Sequence, residues 1–311
     1  MNDPADLLSP EAFRLLAAIE RAGSFAGAAR ALNLVPSALT YRVRRIEDAL
    51  DVLLFDRSSR HARATPAGAE LLAQGARLKQ DVDAVVRRVQ RVATGWEPSL
   101  TLAVDGVIAQ SALMELCCDF YALQPPTRLR LRDEILSGTL AALTSGQADL
   151  ALGVALEPAS AANLRAKPLG PVRFVYAIAP THPLAQAPEP LADAELLKHR
   201  AIVVADSAPG SATQSFGLLA GQEALTVASL QAKLAAHLRG LGVGFLPEPL
   251  ARPWLASGQL VERRLERSTR TASLQYAWPA RVQPGKALSW WLGRLERPIT
   301  RRALLQAPAN V

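Results

Sequence analysis

The chain has 311 residues, half of them hydrophobic, with 35 Lys and Arg against 28 Asp and Glu, for a formal net charge of +7. That length predicts two or three domains, the apolar content excludes global disorder, and the positive excess, most of it arginine, suits a polyanionic partner. The two cysteines, Cys117 and Cys118, are adjacent and exclude a disulfide framework, and the four histidines lack metal-site spacing.

The first predicted helix runs from Ser9 to about Ala22. Ser9 stands as its cap, Pro10 at its first position and Glu11 near the positive end of its dipole, with Phe13, Leu16, Ala17 and Glu20 at helical spacing. Gly23 stops it. Ser24 caps a second helix, Phe25 to about Leu32, whose Ala26, Ala28, Ala29 and Ala31 let another helix cross closely. Asn33 tolerates the left-handed conformation of a tight turn, Leu34 buries in that turn, and Pro36 fits the first turn of a third helix ending near Leu50.

Leu39, Val43, Ile46 and Leu50 form the apolar stripe of the third helix. Ser37, Thr40, Tyr41, Arg42, Arg44 and Arg45 populate the rest, and such hydroxyls, phenol and guanidinium groups read base edges and hold phosphates when a helix enters a major groove. A solvated face on an ordinary helical hairpin is the competing reading. Val52, Leu53, Leu54 and Phe55 predict a short buried segment. Arg57, Arg60, His61 and Arg63 then decorate a small hairpin, or wing, placed to touch backbone phosphates.

Thr65 and Pro66 open a long helix reaching about Thr94. Leu71, Gly75, Leu78, Val82, Val85, Val89 and Val92 recur four and three residues apart, a heptad seam with a weak point at Gly75. Such a seam needs a second helix, from another copy or from the same chain. Gly95 and Pro98 end the helix.

From Ser99 onward strands and helices alternate. Strands are predicted over 100–104, 128–134 and 148–154, with helices near Ser111–Tyr121 and after Ser137. This β–α–β–α–β order predicts a parallel sheet with ligand sites at the carboxyl ends of its strands. A second such unit takes in strands over 172–180, 201–206, 224–229 and 242–251 and a helix from Leu230 to Arg239, before a strand over 273–280 and a helix around Trp290 and Trp291.

Strand ends point to Asp105, Gly106 and Val107, then Glu134, Ser137 and Gly138, as ligand-facing. Ser137 is placed to cap the following helix and to offer N–H groups to an anion. Asp105 and Glu134 would repel an acidic ligand and favour one rich in donors, such as a phenol, ureide or amine. The competing reading makes either acid a helix cap or an ion-pair partner of Arg130 or Arg132. Phe174, Tyr176 and the turn Phe245-Leu246-Pro247 are candidate lining, with core packing the stronger claim on them. Nucleophile-elbow, zincin and P-loop motifs are absent, and the glycines of Gly240–Phe245 end a helix and open a strand, the reverse of a phosphate-binding turn. No enzymatic activity, cofactor or metal is expected.

Gly23-Ser24-Phe25, Ala28-Ala29, the hydroxyl and apolar pattern of Ser37 to Thr40, Ile46-Glu47, Leu54-Phe55-Asp56-Arg57 and Thr65-Pro66-Ala67-Gly68 together resemble the LysR-type transcriptional regulators, in order and in spacing, over roughly the first 70 residues. The chain departs from that pattern at Pro36, where the family often has glutamine, at Tyr41, often arginine or histidine, and at Asp51, commonly glycine. More loosely, "SGQADLALGV" and "LRGLGVGFLPEPLARPWLASGQLV" resemble the family's effector-binding domain, which is built like a periplasmic solute-binding protein.

The resemblance implies a mixed α+β and α/β protein. A winged helix-turn-helix DNA-binding domain would span 1–65, a dimerising linker helix 66–95, and an effector-binding domain 96–300. The last would comprise one α/β subdomain of about 99–167 with 271–298 and another of about 168–270, joined by two crossing strands around a cleft. DNA contacts are expected from Ser24, Ser37, Thr40, Tyr41, Arg42, Arg44, Arg57, Arg60 and Arg63. Dimer contacts are expected from Leu71, Leu78, Val82, Val85 and Val89, with the helices pairing antiparallel. Effector contacts are expected from Asp105, Gly106, Val107, Glu134, Ser137 and Gly138.

The implied function is regulation of transcription at a specific DNA sequence, switched by a small molecule of unknown identity. The alternative is a DNA-binding regulator whose carboxyl-terminal domain only oligomerises. Expected partners are double-stranded promoter DNA, the effector, a second copy of the chain as dimer or tetramer, and RNA polymerase as a further candidate. With no signal-peptide pattern at the start and no apolar run long enough to span a membrane, a cytoplasmic location is expected.

Overall fold

The computed structural model describes residues 7–56, 61–155, 163–208, 217–267 and 270–306. The chain divides into two compact units, Met1–Val89 and Gln90–Val311, so the division falls inside the long helix and at neither of its ends. Among the described residues no helix is long and apolar enough to cross a membrane.

The first unit opens with α1 (Pro10–Ala22), whose N-terminus is capped by Ser9 accepting from the Ala12 amide at 3.2 Å and whose end is set by Gly23 in the left-handed region. Its buried face is Ala12, Leu15, Leu16, Ala18 and Ile19. The spacing through Phe13, Ala17 and Glu20 is therefore displaced from the true stripe, although Leu16 belongs to both. Ser24 caps α2 (Phe25–Ala31) through the Gly27 amide at 3.1 Å, and Ala28 and Ala29 disappear into the core. Asn33 takes a φ of 53° in the turn, and Pro36 opens α3 (Pro36–Leu50). Asp51 ends α3 with a φ of 53°, which accounts for an acidic residue in place of glycine, because aspartate is among the few side chains that visit this region readily. Beyond it only Leu54 and Phe55 are buried. Val52 and Leu53 stay exposed, because the chain turns before it reaches the core.

The wing is a two-residue ladder, β1 (Phe55–Asp56) against β2 (Arg63–Ala64), antiparallel. Thr65 then caps α4 (Pro66–Thr94), accepting from the Gly68 amide at 3.0 Å while its hydroxyl donates to the Leu53 carbonyl at 2.7 Å. Gly68 is forced by proximity, since a Cβ there would lie 2.0 Å from the Leu54 carbonyl oxygen.

In the second unit, β3 (Ser99–Asp105), α5 (Gln110–Tyr121), β4 (Arg128–Glu134), α6 (Gly138–Thr144) and β5 (Leu150–Val154) alternate as the sequence predicts, and β3 pairs parallel with both β4 and β5. β6 (Leu164–Ile178) starts well before its predicted Val172, running through Pro168, Gly170 and Pro171. It is tolerated there because its partner β11 (Arg270–Pro279) shifts register between Leu274 and Gln275, a bulge opposite those residues.

After a 3₁₀ turn, Pro183–Ala185, and the short α7 (Asp193–Leu196) come β7 (Ala201–Val204), β8 (Ala224–Val227), α8 (Leu230–Leu238), β9 (Gly244–Pro247), α9 (Glu248–Ala256) and β10 (Val261–Arg263). Following β11, α10 (Lys286–Leu295) and α11 (Pro298–Leu305) close the described chain. Among the described residues seven strands form one sheet, in the order β10-β6-β11-β5-β3-β4 with β9 also on β6, while β7 and β8 pair parallel.

This sheet gives the unit two lobes. One packs Leu100, Leu102, Phe120, Tyr276 and Trp291 together, and the other packs Ile178, Leu184, Leu196 and Val243. β6 and β11 run through both, antiparallel to each other.

Candidate functional site

Two regions concentrate the chemistry, one in each unit. In the first, α3 buries Leu39, Val43 and Ile46 and turns Ser37, Tyr41, Arg42, Arg44 and Arg45 outward, with Thr40 half-buried. Tyr41 is 63% exposed, so its ring takes no part in the core of this unit. Arg42 is engaged, donating to Glu11 at 2.7 Å in a pair that is exposed at both ends. Ser24 spends its hydroxyl oxygen on the cap of α2. Arg63 stands exposed on β2, while Arg57 and Arg60 lie outside the described residues.

Glu47 entered the sequence reading only as part of the Ile46-Glu47 pair of the family pattern, with no role assigned. It is only 5% exposed, and its carboxylate accepts from the amides of Leu54 at 2.9 Å and Phe55 at 3.4 Å, tying the start of the wing to the middle of α3. An acid interrupting the stripe of Val43, Ile46 and Leu50 was the available signal.

On α4 the predicted seam splits. Leu71 packs on the core of the first unit and not on an open stripe, and Gly75 is buried, because both lie where the helix runs beside α1. Gly75 is therefore no weak point. Leu78, Val82, Val85 and Val89 are exposed apolar residues, with Val85 57% accessible.

The second region is a cavity of about 750 Å³ in the second unit. It lies at the carboxyl ends of β3, β5 and β7, where Asp105, Gly106, Val107, Gly153, Ala155 and Asp206 face it. The loop after β4 contributes Ile135, Leu136 and Ser137, and the other lobe contributes Phe245 from β9 with Leu230 and Lys233 from α8. Phe174 also lines it. Tyr176 and Leu246 instead pack in the core, Tyr176 edge-on to the Phe245 ring at 5.2 Å.

Four of the six predicted contacts, Asp105, Gly106, Val107 and Ser137, thus face the cavity, and Glu134 and Gly138 do not. Glu134 is drawn away by Arg132 at 2.8 Å and by the Ser207 hydroxyl, which donates to it at 2.7 Å. Gly138 lies under Ser207, so close that a Cβ would fall 1.8 Å from the Ser207 hydroxyl oxygen. Ser137 does not cap α6. Its hydroxyl donates to Asp206 at 2.5 Å, and the Ser207 hydroxyl also accepts from the Ile135 amide at 2.9 Å. These bonds form a clasp between residues 134–138 of one lobe and 206–207 of the other.

Asp105 is buried, and its two carboxylate oxygens accept from the amides of Val107 at 2.9 Å and Leu136 at 3.1 Å. Burial, with a smaller contribution from the Asp206 charge, pushes its pKa up from 3.8 to about 7. Leu136 donates this bond from a φ of 54°, a strained conformation for a branched apolar residue, of the kind that clusters at ligand sites.

Lys233 was also missed from the sequence. It sits on the inner face of α8, and burial pushes its pKa down to about 8. One turn later His237 bonds through Nδ1 to the Ala177 carbonyl at 2.9 Å, and burial holds its pKa down near 3, leaving it neutral. A lysine and a histidine four residues apart, beside Leu234 and Ala236 on the buried side of the helix, were the legible sign.

Two family models match the chain. One, described as a bacterial regulatory helix-turn-helix protein of the lysR family, covers residues 10–69. The other, a LysR substrate binding domain, covers residues 93–298. Among curated proteins, the Escherichia coli (strain K12) HTH-type transcriptional regulator YeeY is 37% identical over 277 residues, 89% of this chain and 89% of that one. The probable HTH-type transcriptional regulator YhaJ of the same strain is 36% identical over 290 residues, 93% of this chain and 96% of that one. Among solved structures, full-length CbnR complexed with its target DNA superposes with a TM-score of 0.62 at 17% identity, covering 93% of this chain and 99% of that one, which is a likeness of fold.

Proposed function

The chain belongs to the LysR-type family of helix-turn-helix transcriptional regulators, with a DNA-binding unit and a substrate-binding domain, and on that premise we propose that it binds a specific promoter sequence and is switched by a small-molecule effector held between two α/β subdomains. The observation that carries the switch is the 750 Å³ cavity at the carboxyl ends of β3, β5 and β7, lined from both lobes and bearing buried ionisable groups.

In this reading the domains are 1–65, 66–95 and 96–300, the last divided into 99–167 with 271–298 and 168–270. Exposed Ser37, Tyr41, Arg44 and Arg45, with Thr40 beside them, enter the major groove. Arg42 joins them when it leaves Glu11. Ser24 serves through the geometry of α2, and Arg63 contacts backbone phosphates beside Arg57 and Arg60. Leu78, Val82, Val85 and Val89 pair antiparallel with a second copy, placing two reading units on a two-fold operator. Contact with RNA polymerase and a cytoplasmic location follow from the same reading.

The test begins with sequencing the DNA that co-purifies with the protein, followed by titration of the recovered promoter with and without candidate small molecules. A single recovered motif and a ligand that shifts the binding curve support the proposal. A motif whose binding no ligand shifts leaves the oligomerising alternative standing.

A further inference from the structure

Resting on the reading of the cavity as an effector site, we propose that the effector is amphoteric, with an anionic head group held by Lys233 and a hydrogen-bond donor turned toward Asp105 and Asp206. Lys233 is 4% exposed, and among the described residues it has neither a carboxylate nor a hydrogen-bond acceptor. Burial is the cause that lowers its pKa, and no acid among the described residues opposes it. His237 beside it is neutral and supplies no counter-charge. The Lys233 Nζ lies beside the bare backbone of Gly244, 3.7 Å from where a Cβ would stand. A buried cation without an anion is costly to the folded state, and an anionic ligand relieves that cost.

The acids form the complementary half. Asp206 lies close enough to Asp105 for its charge to raise the Asp105 pKa, and neither has a cationic partner among the described residues. Each Asp105 oxygen holds one backbone N–H and keeps capacity for another donor. Cation and acids therefore line the same cavity without pairing to one another, with Phe174, Phe245 and Leu230 offering apolar surface for the body of the ligand. A plain acid would satisfy Lys233 and face the two aspartates bare, and a plain amine would do the reverse. Arg270 also lines the cavity, but it is exposed and leaves the demand of the buried amine unmet.

Titration calorimetry on the full chain with straight-chain ω-amino acids from glycine to 6-aminohexanoate, each beside the carboxylate and the amine of equal length, tests this. One length should bind about ten-fold more tightly than both of its matched partners. Lys233→Met should erase its advantage over the amine and Asp105→Asn its advantage over the carboxylate, and Ala155→Trp, which plugs the cavity, should abolish both. Unliganded Lys233→Met should melt no lower than the wild type, since a partnerless buried charge has been removed.

Amines that bind as tightly as the amino acids, and are lost in Ala155→Trp, overturn the charge assignment and leave the cavity reading intact. Failure of every member of the series to bind the wild type also overturns it, with no variant involved. Binding that Ala155→Trp leaves unchanged places the probes outside the cavity and sinks both.

Discussion

The ring of Phe13 lies against the bare backbone of Gly75, where a Cβ would fall 2.1 Å from the ring. On propensity alone Gly75→Ala should stabilise a helix by about 1 kcal/mol. Displacing a packed aromatic ring costs about 1–3 kcal/mol. The steric term wins, so Gly75→Ala should lower the melting temperature of the first unit, and adding Phe13→Ala should lessen the effect of the alanine. A simple rise in melting temperature for Gly75→Ala would mean that the ring moves aside freely.

Arg42 is held by Glu11 in a pair exposed at both ends, worth about 0–1 kcal/mol. Glu11→Ala should therefore barely change stability and should strengthen binding to the recovered promoter by freeing the guanidinium. Arg42→Ala should weaken it by about 1–3 kcal/mol if the side chain reaches a base. Titrations at several salt concentrations separate this from a phosphate contact, for which the affinity loss is the same on unrelated DNA and the salt slope falls.

Val85 is 57% exposed, so an aspartate there is solvated in an isolated chain and buried only in a helix pair. Val85→Asp should leave the melting of the second unit unchanged while shifting sedimentation toward the monomer and lowering promoter affinity. An unaltered sedimentation profile would remove this stripe from the dimer contact.

Asp105 and Lys233 give stability opposite pH slopes in adjacent windows. Asp105 has a raised pKa in the fold, so the folded state retains a proton that the unfolded chain loses, and stability drains away as pH rises from 3.8 to about 7. The full effect is on the order of 4 kcal/mol and should be missing from Asp105→Asn. Lys233 has a lowered pKa, so its cost is complete below about pH 8 and fades as pH climbs toward 10.5. Lys233→Met should therefore gain most over the wild type at neutral pH and least near pH 10. Denaturant titrations across pH 4–10 measure both slopes, and parallel curves for variant and wild type would refute the assignments.

The helices of the first unit were legible because their caps are local: Ser9, Gly23, Ser24, Asn33 and Thr65 each act within a few residues, where sequence alone carries the information. The cavity was half legible. Asp105, Gly106, Val107 and Ser137 follow from strand ends, a rule of topology. Lys233 and Asp206 come from the other lobe, and nothing local to "LQAKLAAHL" announces which residue it will face. Glu134 was misplaced because Ser207, 73 residues away, captures it. β6 was predicted only from Val172, because prolines such as Pro168 and Pro171 are disfavoured within a sheet, and only the bulge in a strand about 100 residues distant makes them acceptable.

The path of β6 and β11 also sets the order in which the second unit can be built. Apart from the first residues of β11, the strand segments of the later lobe among the described residues fall between Val172 and Arg263, so a ribosome has delivered all but that last edge before Arg270 is made. The earlier lobe begins with β3 at Ser99, yet it must wait for β11 to flank β5 and for α10 to bring Trp291 into its core. The half that is synthesised first is thus finished last, and until then β5 stands as an open edge carrying apolar Leu150 and Leu152, a stretch of the nascent chain that needs protection from other chains.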